Sequence, residues 1–269
     1  MSDQMNFNNM NQINLENPII YKYLSRRNGL RVLLKKTLKF SRPYEFNDPF
    51  DCYEELIKFD LTQEFINEHI RKGILVLDEY QKSLSNEELL QQLQKEVYTF
   101  ENDDVTGVFK NLFDQIRISC FSKTYNDILM WSHYGDKHEG ICIGFNLQGL
   151  RKTFGFLPIN VEYKSNFDKV DYCNDELRAQ KYFISTKSRH WEYEQEVRLM
   201  TRFEDAPGLT ETGIMPIHPS SISEIVLGCN CDVSIDTFRQ RIEKYGFKDV
   251  KIIKLVKSKN SFGFNETAI

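Results

Sequence analysis

From residue 117 onward the chain is a succession of short β-favouring runs cut by turn residues, whereas the stretch before it has helical spacing. This segregation is what most limits the fold. The runs fall at 117–122, 141–145, 159–163, 196–203, 224–227 and 250–256, and they are rich in β-branched and aromatic residues. Between 53 and 116 the spacing is helical: Phe65, Ile66, His69 and Ile70 form one apolar stripe, and Ser85-Asn86-Glu87-Glu88 has capping-box form ahead of Leu89, Leu90 and Leu93. A strand is expected at 19–24, a basic helix at 28–36, a short strand at 38–40, and a helix at 235–245 closed by Gly246. Strands in runs with helices set apart predict an α+β fold with a mainly antiparallel core, not alternating βαβ units. The expected organisation is one α+β domain over 18–269 with a helical insertion at about 53–116, preceded by an Asn-rich flexible tail at 1–17.

Composition narrows the class of protein. Apolar residues are 41% and charged residues 28% of the 269 positions, which suits a soluble globule and not a disordered chain. No stretch approaches the ~18 consecutive apolar residues of a membrane helix. The first residues lack the basic and apolar regions of a secretory signal. Six cysteines are too few for a disulfide framework at this length. A reduced, cytoplasmic protein without a membrane partner is the expectation.

Charge is uneven. Eight basic residues and no acidic one lie between Pro18 and Pro43, whereas sixteen acidic and five basic residues lie between Tyr44 and Asp104. Either the two segments dock and neutralise each other, which is the favoured expectation, or the basic one holds phosphate. With a net charge of −4 the chain is not a general polyanion binder.

Two segments carry candidate chemistry. In 119–145, Trp131, His133, Tyr134 and His138 cluster between two strands; they suit stacking on a flat ring and donation to a ribose or phosphate, or else a Trp–Tyr core plug. In 187–198, read as a strand, period two puts Glu192, Glu194, Glu196 and Arg198 on one face. Carboxylates in a row repel, so at least one pKa should rise unless Lys187 or Arg198 offsets it, and such a face suits a cationic sugar transition state. If both segments form one site, His133 and Glu196 face a common cleft. Metal readings are weaker: Cys229-x-Cys231 is tight for zinc, and His133 with His138 lacks the zincin spacing. Cys120 is read as a buried thiol, with thiol catalysis beside His133 the alternative.

These segments carry a resemblance when set beside Tyr21-Lys22-Tyr23, Phe40-Ser41-x-Pro43, Phe46-Asn47-Asp48-Pro49-Phe50-Asp51, Cys120-Phe121-Ser122 and Lys187-x-x-x-Trp191-x-x-Glu194-x-Glu196-x-Arg198. Together they resemble the bacterial family catalogued as domain of unknown function 2971, over roughly residues 19–260. More distantly, the order of parts is similar to that of ADP-ribosyltransferases, including their DNA-modifying toxin branch. That similarity implies a split β core and NAD as substrate. It also implies transfer to a nucleic-acid or protein acceptor, or NAD hydrolysis, in a toxin or phage-defence setting. It makes Glu196, Glu194 and His133 the catalytic candidates. Glu196 would stabilise the oxocarbenium ion, and Glu194 would orient or deprotonate the acceptor. Lys22, Tyr23, Asn47, Asp48, Ser122, Trp131, Tyr134, Lys187 and Arg198 are the nucleotide-binding candidates. The chain departs from the pattern in lacking a His or Arg on the first strand and a full Ser-Thr-Ser motif. A non-catalytic nucleotide-binding module and a metal-assisted hydrolase are the alternative functions.

Overall fold

The computed structural model describes residues 19–73, 75–98, 113–154 and 158–268; the expected tail at 1–17 lies outside them. Eight strands form the main sheet: β1 (Ile19–Leu24), β2 (Ile116–Ser122), β3 (Ile141–Asn146), β4 (Ile159–Asn160), β5 (Glu196–Arg202), β6 (Ile222–Leu227), β7 (Lys251–Lys257) and β8 (Phe264–Ala268). Their order across the sheet is β8-β7-β6-β3-β1-β2-β5-β4. Neighbours are antiparallel except β6 and β7. The fold is therefore mixed, with a large, mostly antiparallel sheet and several helices.

One junction is much weaker than the rest. β1 pairs with β3 from Ile19↔Asn146 to Leu24↔Ile141, and β2 pairs with β5 from Ser122↔Glu196 to Ile116↔Arg202. β1 and β2 themselves meet only at Tyr21↔Ser122. The sheet is thus two ladders that part in the middle, and the Lys22 side chain bridges the gap. Its amine donates to the Cys120 carbonyl at 2.8 Å and the Ser119 hydroxyl at 3.1 Å. A carbonyl left without a ladder partner needs a donor from elsewhere, and Lys22 supplies it.

Side-chain alternation divides the core. Ile20, Ile143, Phe145, Ile225 and Ile252 share one apolar cluster with Leu33, Leu150 and Phe238. These last three come from helices α1 (Arg26–Lys35), Leu147–Phe154 and Ile235–Glu243. Tyr21, Tyr23, Cys142, Val226 and Ile253 cluster instead with Met130 and Trp131 of helix α2 (Ile128–His133). A third cluster sets Ile116, Ile118 and Met200 against Ala179 and Phe183 of helix α3 (Glu176–Ser185).

Two expectations are corrected. The 53–116 region is not all helical: it holds helices Gln63–Arg71, Glu79–Ser83 and Asn86–Tyr98, but Ile57–Lys58 pairs in parallel with Val170–Asp171, fixing the region to the body of the protein. Residues 99–112 lie outside the described ones. The expected strand at 159–163 breaks in two. Ile159–Asn160 stays on the main sheet, while Glu162–Lys164 pairs in parallel with Thr186–Ser188, setting Tyr163 opposite Lys187. No helix among the described residues is long and apolar enough to cross a membrane.

Candidate active site

The segment 187–198 is not one strand. Arg189–Glu194 winds into a 3-10 helix, and Gln195 takes a left-handed conformation (φ 45°) before β5 begins at Glu196. Glu192 therefore leaves the carboxylate row; it is exposed and pairs with Arg189 at 3.6 Å. Glu194 and Glu196 still converge on Lys187. The Lys187 amine lies 2.5 Å from Glu194 Oε2, 3.0 Å from Glu196 Oε2 and 3.3 Å from Asp51 Oδ2. Arg198 completes the group. Its Nη2 donates to both oxygens of Asp51 at 2.7 Å, its Nε to Glu196 Oε1 at 2.8 Å and its Nη1 to the Ile184 carbonyl at 2.8 Å. Arg198 is 0% and Glu196 4% exposed, so these charges sit in a low-dielectric interior.

Three carboxylates face two cations, and the excess negative charge decides where a proton goes. Burial alone would raise the Glu196 pKa, but Arg198 and Lys187 overcome it and hold this carboxyl down at about 2. Glu194 goes the other way: burial raises its pKa despite the bond from Lys187, and Glu196 adds repulsion. Burial lowers the Lys187 pKa, but the three carboxylates outweigh it and the net shift is upward. Burial lowers the pKa of Lys22. Two carboxyls two residues apart thus hold protons with opposite ease, as an acid–base pair requires.

A cavity of about 470 Å³ opens in the gap between β1 and β2, within the ~300–1,000 Å³ typical of small-molecule sites. Lys22 and Ser122 line it from the two strands, Tyr134 and Asn47 from the flanking loops, and Glu194 and Glu196 from the charged group. Tyr134 donates to Glu194 Oε1 at 2.7 Å and is itself hydrogen-bonded by the Asn47 side chain. Arg31 of α1 and Lys39 add positive charge to the lining. Lys39 is tied to Glu45 at 3.3 Å, while Arg31 has no ion-pair partner among the described residues. Docking of the basic segment onto the acidic one is corrected accordingly. Among the described residues Lys39–Glu45 is the ion pair that joins them, whereas Arg26 pairs with Asp232 and Arg42 with Asp114.

The remaining candidates divide. Tyr23 borders the cavity with its hydroxyl spent on the Thr124 carbonyl at 3.0 Å. Trp131 does not reach it. This ring is fully buried, meets Tyr23 edge-on at 5.2 Å and donates to the Tyr125 carbonyl at 2.7 Å, so it is the core plug. Asp127 caps α2 by accepting from the Met130 amide at 2.9 Å, and this cap fixes where His133 and Tyr134 leave the helix. Tyr134 enters the cavity, but His133 and Asp48 line a separate depression, so the single-cleft expectation for His133 and Glu196 is corrected. His138 bonds Ser132 instead of joining His133, and among the described residues no group of three His, Cys, Asp or Glu side chains could hold a metal. Asp51, Arg31 and Lys39 are cavity residues that the site reading missed. Asp51 lies in the Phe46–Asp51 motif that carries part of the family resemblance, and that motif was the available hint.

Glu196 should make stability depend on acidity. Its folded pKa is depressed, so its contribution is complete above the ordinary carboxylate range and is lost as pH falls from about 5 to about 2. Urea unfolding across that window should show a steeper loss for wild type than for Glu196→Gln; equal slopes would contradict the charge network. Glu194, with a raised pKa, opposes this trend at higher pH, where its deprotonation costs the folded state.

No curated protein and no solved structure matches the chain. Residues 130–199, which carry His133, Tyr134, Lys187, Glu194, Glu196 and most of β5, match the family described as Protein of unknown function (DUF2971).

Proposed function

We propose that the cavity between β1 and β2 binds a phosphate-bearing nucleotide and breaks its glycosidic bond, with NAD as substrate, in the manner of an ADP-ribosyltransferase. The observation that carries this reading is the pair of buried carboxyls with opposite proton affinity beside a cationic lining. Lys22 commits two of its three N–H groups to Ser119 and Cys120, and the third is available to a phosphate oxygen. Arg31 and Lys39 extend that anion-binding surface. The bond broken is the one between nicotinamide and ribose. Nicotinamide leaves with the bonding electrons, and the anomeric carbon takes an oxygen from water or from a macromolecular acceptor. Glu194, positioned by Tyr134, receives the proton that this oxygen gives up. Glu196 serves differently from the expectation. Both its oxygens are held by Arg198 and Lys187, so its field is largely compensated and its part is to set the charge around Glu194.

That same compensation favours a second reading, a nucleotide-binding module without turnover. Incubation with NAD separates the two. Nicotinamide release above the uncatalysed rate supports the enzyme, saturable binding of NAD or ADP without release supports the module, and neither binding nor release overturns both.

A further inference from the structure

The second depression, about 380 Å³, backs directly onto the nucleotide cavity. Three pairs of consecutive residues form the shared wall. Asn47, Tyr134 and Glu194 face the cavity, while their neighbours Asp48, His133 and Tyr193 face the depression. His133 Nδ1 and the Tyr193 hydroxyl bond at 2.9 Å, next to the Tyr134–Glu194 bond on the other side. The rings of His133, Trp191 and Tyr193 lie mutually 6.0–6.3 Å apart, and Phe50, 58% exposed, stands at the rim.

Asp48 is the unexplained element. It is 7% exposed; Oδ1 accepts from the Phe50 amide at 2.9 Å, but Oδ2 is buried with no hydrogen-bond partner. No ion pair neutralises it among the described residues, and no lysine or arginine lines the depression. A buried carboxylate left with an open oxygen is costly unless something supplies a donor or a positive charge. Aromatic faces add attraction for the same kind of group.

We infer that this depression binds an organic cation, an alkylammonium or guanidinium group, with Asp48 as its counter-charge and the Trp191 and Tyr193 rings as its walls. The unpartnered Oδ2 leaves a single strong hydrogen bond to be made, so both cation types fit. The site stands whether or not the neighbouring cavity turns over a nucleotide.

The test is a titration of the full chain followed through its histidine ring NMR signals, using methylguanidinium chloride, butylammonium chloride and the neutral N-methylacetamide. Of the five histidines, His133 and His190 line the depression, and His69, His138 and His218 serve as references. Saturable shifts of His133 and His190 are expected with either cation in the millimolar range of a single small group, and not with the amide. Asp48→Asn should weaken them about tenfold and leave ADP binding in the cavity unchanged. Absence of saturable shifts, equal shifts with the amide, or an unchanged affinity in a folded Asp48→Asn chain would each overturn the inference. The wild-type arms decide the matter even if that variant does not fold.

Discussion

Arg198→Ala is expected to destabilise the protein by about 3–5 kcal/mol, the usual cost of removing one partner from a buried ion pair. The reason lies in what the guanidinium leaves behind. Asp51 loses the group that binds both its oxygens, Glu196 loses one donor at each of its oxygens and keeps Lys187 on Oε2, and the Ile184 carbonyl loses its donor. Lys187 alone would then face three carboxylates in an interior that screens little. Since natural domains are stable by only about 5–15 kcal/mol, much of the native population could be lost at growth temperature. Arg198→Lys should recover little, because one ammonium cannot repeat a planar fork that binds Asp51, Glu196 and the Ile184 carbonyl together. Chemical unfolding of both variants measures this. An Arg198→Ala protein within about 1 kcal/mol of wild type would show that the network contributes no more than a surface pair.

The elements legible in the sequence were those specified locally. β1 has the expected bounds, β3 and β5 differ by a residue at an end, and the Ser85–Glu88 capping box forms as read, with Glu88 bonding the Ser85 amide at 2.9 Å. The site was legible in its members but not in its geometry. Period two predicted Glu194 and Glu196 on one face through a continuous strand. They converge instead through a 3-10 turn and a left-handed Gln195, because Lys187 on a different ladder gathers both. Alternation in a sequence cannot register a partner of that kind. Asp51 is the sharper case, since it lies 147 residues from Arg198 and no local pattern couples them. His133 was misplaced for the opposite reason: adjacency to Tyr134 in the chain suggested adjacency in the site, yet a helical turn sends successive side chains in different directions.

Glu194→Gln should lower nicotinamide release by roughly 10²–10⁴-fold while leaving the fold and nucleotide affinity nearly intact. Glutamine keeps the size of the side chain; its carbonyl oxygen can accept from Lys187 while its amide N–H donates to the Tyr134 hydroxyl, so the wall of the cavity is preserved. It also removes the one carboxylate in excess over Lys187 and Arg198, so the network becomes balanced and stability should hold or rise. Only the proton-accepting step is lost. Glu196→Gln should behave differently. With Glu196 neutral, less repulsion reaches Glu194, and Lys187 and Arg198 are left to fewer carboxylates, so the Glu194 pKa should fall. Its signature is an acidic limb of the rate profile moved to lower pH, together with loss of stability, whereas Glu194→Gln removes that limb altogether. Should Glu194→Gln release nicotinamide at the wild-type rate, Glu194 is not the base and the cavity is a site of another kind. If only Glu196→Gln abolishes turnover, with its profile unshifted, then Glu196 acts on the substrate directly in spite of its paired oxygens, as the resemblance to ADP-ribosyltransferases implied.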